Sequence, residues 1–140
     1  MVKLKRAYEP ASPSDGLRLL VERLWPRGIS KERLKLDGWL RDVAPTSALR
    51  EWFAHDPAKW PEFRRRYFRE LDAHPTSWGA IVSAMRRRTV TLVYSSHDED
   101  HNNAVALREY LKSARRPARP LRAAATARPR ARLEKKNVLP

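Results

Sequence analysis

The segment Thr89 to Ser95, TVTLVYS, constrains the fold of this chain more than any other. It is mostly β-branched or aromatic and carries no charge. A strand without charge on either of its alternating faces has to be covered on both sides, which places it in the middle of a sheet. HDEDHNN follows, and after it an amphipathic helix is expected from about Asn103 to Lys112, with Val105, Leu107 and Leu111 among its apolar positions. Strand, turn and helix in that order form the repeating unit of an α/β domain.

Two further strands are legible. Residues 2–8, VKLKRAY, alternate so that Val2, Leu4, Arg6 and Tyr8 share a face. In GLRLLVERLWPRG a strand is expected over 17–25, with Leu17, Leu19, Val21, Arg23 and Trp25 on one face and Arg18, Leu20, Glu22 and Leu24 on the other. Pro26 has no N–H for a ladder and should end it, and Gly28 permits a turn closed to other residues. Each strand carries an arginine and an aromatic near its end: Arg6 with Tyr8, Arg23 with Trp25. Parallel strands would bring both arginines to one edge of the sheet. The loop of about eight residues between the strands makes antiparallel pairing simpler, and that would separate them.

The middle of the chain reads as helical. Ser30 to Leu36 suits a short helical turn, and Asp37 to Val43 a short strand or a helix. A helix over about 47–54 would bury Leu49, Trp52 and Phe53. Asp56-Pro57 is a cap followed by a first helical residue, and Trp60, Phe63, Tyr67 and Leu71 then recur at helical spacing. Pro75-Thr76-Ser77 begins a third helix with Trp78, Ile81, Val82 and Met85 inward. Together these elements predict a small single α/β domain over 1–112, a mixed or parallel sheet of about four strands flanked by helices.

The formal charge of +14 is unevenly placed. Residues 113–140 hold nine Arg/Lys and one acid, so this Arg/Pro/Ala-rich stretch is expected to be a disordered basic tail. Without cysteine the chain has no disulfide or thiolate chemistry, which fits a reducing, cytoplasmic setting. No apolar run is long enough to span a membrane, and no membrane partner is expected. Four glycines and no GxGxxG or P-loop pattern leave nothing to cradle a nucleotide cofactor, so no cofactor is expected. His97 and His101 are four apart, but without a supporting Glu or Cys pattern they do not make a metal motif.

Candidate functional residues fall in two segments. Beyond the carboxyl end of the central strand, where open α/β sheets bind ligands, His101 suits acid/base work with Asp98 assisting, and Asn102 and Asn103 suit orienting a ligand. The competing reading is capping: Ser96-x-x-Glu99 fits a capping box. Asp98, Glu99 and Asp100 argue against a phosphate at this helix start. At the end of the second strand, Arg23 interrupts an apolar stripe, so it pairs with a carboxylate, faces an anion or is exposed. Arg6, Trp25 and Arg27 join it as candidates for ligand or phosphate binding. Lys31, Arg33, Lys35 and the arginines at 64–66 and 69 form either a nucleic-acid surface or a solvated face.

KLKRAYEPASPSDGLRLLVERLWPRGISKE, then HDP with Trp60 and Phe63, then TLVYSSHDEDHNNAVALREYL resemble the YeaO-like family of bacterial and archaeal proteins of unknown function. The resemblance covers residues 2 to about 112, and RLWPRG and DE-x-HNNA are its specific segments. It implies a small cytoplasmic α/β protein and supplies no settled activity, substrate or catalytic residue. Three functions stay open. The first is binding of nucleic acid or an anionic, nucleotide-like small molecule where RLWPRG and HNN meet. The second is a small enzyme of hydrolase or DNA-base-repair type using His101. The third is a non-catalytic interaction domain.

Overall fold

The uncharged segment forms β4 (Val90–Tyr94), all five residues buried, and the sheet is built outward from it. The computed structural model describes residues 1–114. One sheet of four parallel strands contains β1 (Val2–Arg6), β2 (Leu17–Leu20), β3 (Gly38–Trp39) and β4, in the order β1-β4-β2-β3. β4 pairs with β1 from Val2↔Val90 to Arg6↔Tyr94, and with β2 from Leu17↔Val90 to Leu20↔Val93. The antiparallel alternative is therefore not adopted. β1 and β2 do not touch as a pair; they lie on either side of β4 and run the same way.

The return from the end of β1 to the start of β2 uses a loop where most parallel sheets use a helix. Lys3 Nζ donates to Ser14 O at 3.0 Å, Lys5 Nζ reaches Asp15 Oδ1 at 3.0 Å, and Thr91 Oγ1 donates to Asp15 O at 2.7 Å. The loop is thus laid back over the Lys3, Lys5 and Thr91 face of the sheet. At its end Gly16 has φ +67°, and a Cβ there would stand 2.2 Å from the Thr89 carbonyl oxygen. No other residue fits that approach.

β2 is shorter than its sequence pattern, ending at Leu20 instead of reaching residue 25. A strand persists only while it has neighbours. β3 pairs with Leu19 and Leu20 alone, and the last tie to β4 is Val21 N–H to Val93 O at 3.2 Å. The alternation then lapses. Trp25 consequently leaves the Leu19 and Val21 side expected for it and packs with the Leu20 cluster, edge-on to Trp39 at 5.4 Å between ring centroids.

Both faces of the sheet are covered. Leu19, Val21, Val90, Leu92 and Tyr94 face the larger core, which is closed by α2 (Ser47–Phe53), α3 (Trp60–Ala73), α4 (Gly79–Met85) and α5 (Asn103–Ala114). Phe63, Tyr67 and Leu71 form the buried stripe of α3, and each such side chain removed from water contributes about 1.5–3 kcal/mol. Opposite, Ala7, Leu20, Leu34 and Val93 form a small second core under the one-turn helix α1 (Lys31–Leu34), whose cap is Ser30. Asp56 caps as expected, its side chain accepting from Ala58 N–H, but over a 3-10 turn at Pro57–Lys59 that leads into α3. On the outer side of α3, Arg65 and Arg66 bond Glu62 while Arg64 bonds Glu109 of α5. Those arginines make a solvated, internally paired face. Among the described residues no helix is long and apolar enough to cross a membrane. The sequence placed the domain boundary after Lys112; α5 runs to Ala114, and the expected tail beyond it lies outside the described residues.

Candidate functional site

Parallel strands deliver their carboxyl ends to one edge, and at this edge lies a half-open cavity of about 730 Å³. Arg6 and Tyr8 reach it from the exit of β1, and residues 22–27 from the exit of β2. Ser95, Ser96 and His97, then His101, Asn102 and Asn103, follow β4. Pro45, Arg50, Phe53, His55 and Phe63 close the helical side. The RLWPRG and HNN segments, far apart in sequence, wall the same space.

Arg6, the last residue of β1, and Arg23, three residues past the end of β2, lie to either side of β4. Arg6 donates from Nε to Ser96 O at 2.8 Å and from Nη2 to Ser95 O at 3.3 Å, with its guanidinium 5.1 Å from the Tyr8 ring centroid. Arg23 donates from Nε to Pro45 O at 2.9 Å and from Nη2 to Ala44 O at 3.3 Å. Carbonyls orient a guanidinium without cancelling its charge. Among the described residues neither arginine has a carboxylate within ion-pair distance. Arg27 is exposed at the rim, where its carbonyl accepts the Tyr8 hydroxyl at 2.9 Å. Trp25 is half-buried, its Nε1 donating to Ile29 O at 2.7 Å.

The asparagines have internal partners. Asn102 caps α5: its Oδ1 accepts from Val105 N–H at 3.0 Å and its Nδ2 donates to Asp98 O at 2.9 Å. This replaces the capping box expected from Ser96 and Glu99, because the helix starts seven residues after Ser96 and not directly behind it. Asn103 Nδ2 donates to Val21 O at 2.7 Å, fastening the helix start to the exit of β2.

His101 and Asp98 form a contact pair, Nδ1 lying 3.0 Å from Oδ2. Asp98 Oδ1 also accepts the N–H groups of Asp100 and His101. The Asp100 N–H, then the His101 ring, hold the Asp98 carboxyl below the usual carboxylate range. With Nδ1 turned to Asp98, Nε2 is the ring nitrogen left for a ligand. The Trp60 ring lies edge-on to the imidazole at 5.3 Å. Asp98, Glu99 and Asp100 are absent from the cavity lining, and Glu22 is the one carboxylate there.

Glu22 and Arg50 are cavity residues that sequence reasoning did not single out, and His55 lines the cavity with them. His55 follows Ala54 in a left-handed stretch, φ +58° after φ +46°, a conformation uncommon away from glycine. No local pattern announces that bend.

A family model described as the inactive DUF488-N3 subclade matches residues 1–130. The uncharacterized protein YeaO of Escherichia coli (strain K12) is 38% identical over 112 residues, 80% of this chain and 97% of that protein. The chain belongs to the YeaO-like family. Uncharacterized protein Rv3073c of Mycobacterium tuberculosis (strain ATCC 25618 / H37Rv) is likewise 38% identical over 111 residues, 79% of this chain and 92% of that protein. No solved structure matches the chain. In this YeaO-like domain the two segments that carry the family resemblance are also two walls of the cavity.

Proposed function

We propose that the cavity binds a small anionic, nucleotide-like ligand. The observation that carries this reading is the pair Arg6 and Arg23, both lining the cavity, both held by carbonyls and neither neutralised by a carboxylate. A guanidinium in that state offers its full charge and its remaining N–H donors to a phosphate or carboxylate. Arg27 and Arg50 add charge of the same sign, and Tyr8, Phe53 and Phe63 supply the apolar surface that a planar group needs. Binding without turnover is favoured because the matching family model is described as an inactive subclade. The cytoplasmic setting read from the cysteine-free sequence belongs to the same proposal. Nucleic acid would present the same anionic chemistry in polymeric form, though Arg64, Arg65 and Arg66 are paired with glutamates.

Isothermal titration of the full chain with adenosine monophosphate across a salt series tests this. The expected result is binding that weakens with salt and falls about tenfold or more in Arg6→Gln or Arg23→Gln, the loss of one charge-assisted contact. A chain that binds neither the nucleotide nor short labelled DNA or RNA would overturn the reading.

The Asp98–His101 contact favours a second reading, an enzyme in which His101 Nε2 acts as acid or base and Asp98 holds the ring. Product analysis of the same titration decides it. Conversion that His101→Ala abolishes, with the circular dichroism unchanged, would establish the enzyme; intact ligand after long incubation favours binding alone. The third reading, an interaction domain, treats the Arg23 bonds as purely structural and predicts that Arg23→Gln costs stability and no affinity.

A further inference from the structure

The single carboxylate in the cavity occupies a telling position. Glu22 Oε2 accepts the Ser95 N–H at 2.9 Å and Oε1 accepts the Ser95 hydroxyl at 2.7 Å. A main-chain N–H and a hydroxyl converging on one carboxylate, at the exit of the central parallel strand, are donors of the kind with which such sheets hold the anionic group of a ligand. Glu22 ignores the cations around it: among the described residues it makes no ion pair, although Arg6 and Arg23 line the same cavity. Its main chain is fixed by other means. The Glu22 carbonyl accepts Trp39 Nε1 at 2.7 Å, the Val21 carbonyl is held by Asn103, and Arg23 is tied to Ala44 and Pro45. Rotation of the side chain alone would release Ser95 and leave the backbone in place.

We infer that Glu22 is a built-in substitute for a ligand anion, filling a site made by the Ser95 N–H and hydroxyl beside Arg6. The inference rests on the anion-binding reading and specifies its chemistry. A compact oxyanion such as phosphate has to displace Glu22 to reach Ser95, so the wild-type cavity discriminates against it. Arg6 belongs to the same site because its Nη2 is bonded to the Ser95 carbonyl. Glu22→Ala removes both the occupant and its repulsion of an incoming anion, and Glu22→Gln removes the repulsion.

The test is titration of the full chain with inorganic phosphate, in the wild type and in Glu22→Gln, Glu22→Ala, Ser95→Ala and the Glu22→Ala/Ser95→Ala double variant. Thermal unfolding is followed for each. Glu22→Gln and Glu22→Ala are expected to bind phosphate about tenfold tighter than the wild type, the effect of removing one like charge from a half-buried site. Ser95→Ala is expected to cost about fivefold more affinity in the Glu22→Ala background than in the wild-type chain, since the hydroxyl serves the ligand only once Glu22 is gone. Unchanged or weaker phosphate binding in the folded Glu22 variants would overturn the inference and make Glu22 a structural tie between the exits of β2 and β4. Should Glu22→Ala fail to fold, Glu22→Gln, which keeps an acceptor for Ser95, decides alone. Phosphate binding that Arg23→Gln removes and Glu22→Gln does not improve sinks this inference and spares the anion site. Absence of phosphate binding in every variant sinks this inference, while the anion site stands or falls with the nucleotide titration.

Discussion

Arg18 and Arg23 lie five positions apart in one segment and are treated in opposite ways. Arg18, only 4% exposed, donates from Nη1 to Asp15 Oδ2 at 2.7 Å and from Nη2 to Leu34 O at 2.6 Å. Asp15 in turn accepts Lys5 Nζ and the Ser12 N–H. Charge is cancelled where it is buried, as a low-dielectric setting demands. Arg23, half-buried at the far end of the same segment, has carbonyl partners alone. The start of β2 is therefore electrostatically closed and its exit is open. An arginine given a carboxylate is committed to the fold; one given carbonyls is aimed but still has its charge to offer.

The comparison breaks or sharpens most visibly with Arg18→Ala. It leaves the Asp15 carboxylate with Lys5 as its one cation and removes a donor from the Leu34 carbonyl, and a loss of about 3–5 kcal/mol is expected in urea unfolding. Acid comes next. Burial pushes the Asp15 carboxyl up, but the Ser12 N–H, Lys5 and Arg18 outweigh it and leave it below the ordinary range. Because the folded value is the lower one, its contribution is complete above the unfolded value of about 3.9 and is lost as pH falls through the folded value. The urea midpoint should therefore drop steeply below about pH 4, and Asp15→Asn should flatten that drop. Smallest in stability is Arg23→Gln, at about 1 kcal/mol for weakened hydrogen bonds to carbonyls. If it costs as much as Arg18→Ala, the two arginines are not different in kind, and the interaction-domain reading gains.

Much of the fold was legible because it rests on local patterns. TVTLVYS announced a central strand, the Phe63, Tyr67 and Leu71 spacing announced α3, and Asp56-Pro57 announced a cap. The end of β2 was not legible, since it is set by the two-residue length of β3. Arg18 escaped notice because its partners include carbonyls at Leu34 and Lys35, brought near by the later loop. Of the site, the two motif segments could be named from residue type, and their meeting follows from a parallel topology that loop length argued against. Glu22 reads locally as an ordinary strand glutamate; its bond to Ser95 spans 73 positions.

The strand order carries a consequence for how the chain comes to be folded. β1 has β4 as its one partner, while β2 has two residues of β3 and otherwise also depends on β4. During synthesis the segment up to Thr89 can assemble helices, but its sheet would consist of two pairs of residues. Two strands must wait, edges unpaired, until Val90–Tyr94 emerges and slides between them. Such edges are where a foreign strand can add, so the interval before β4 arrives is the period in which this protein is most exposed to mispairing.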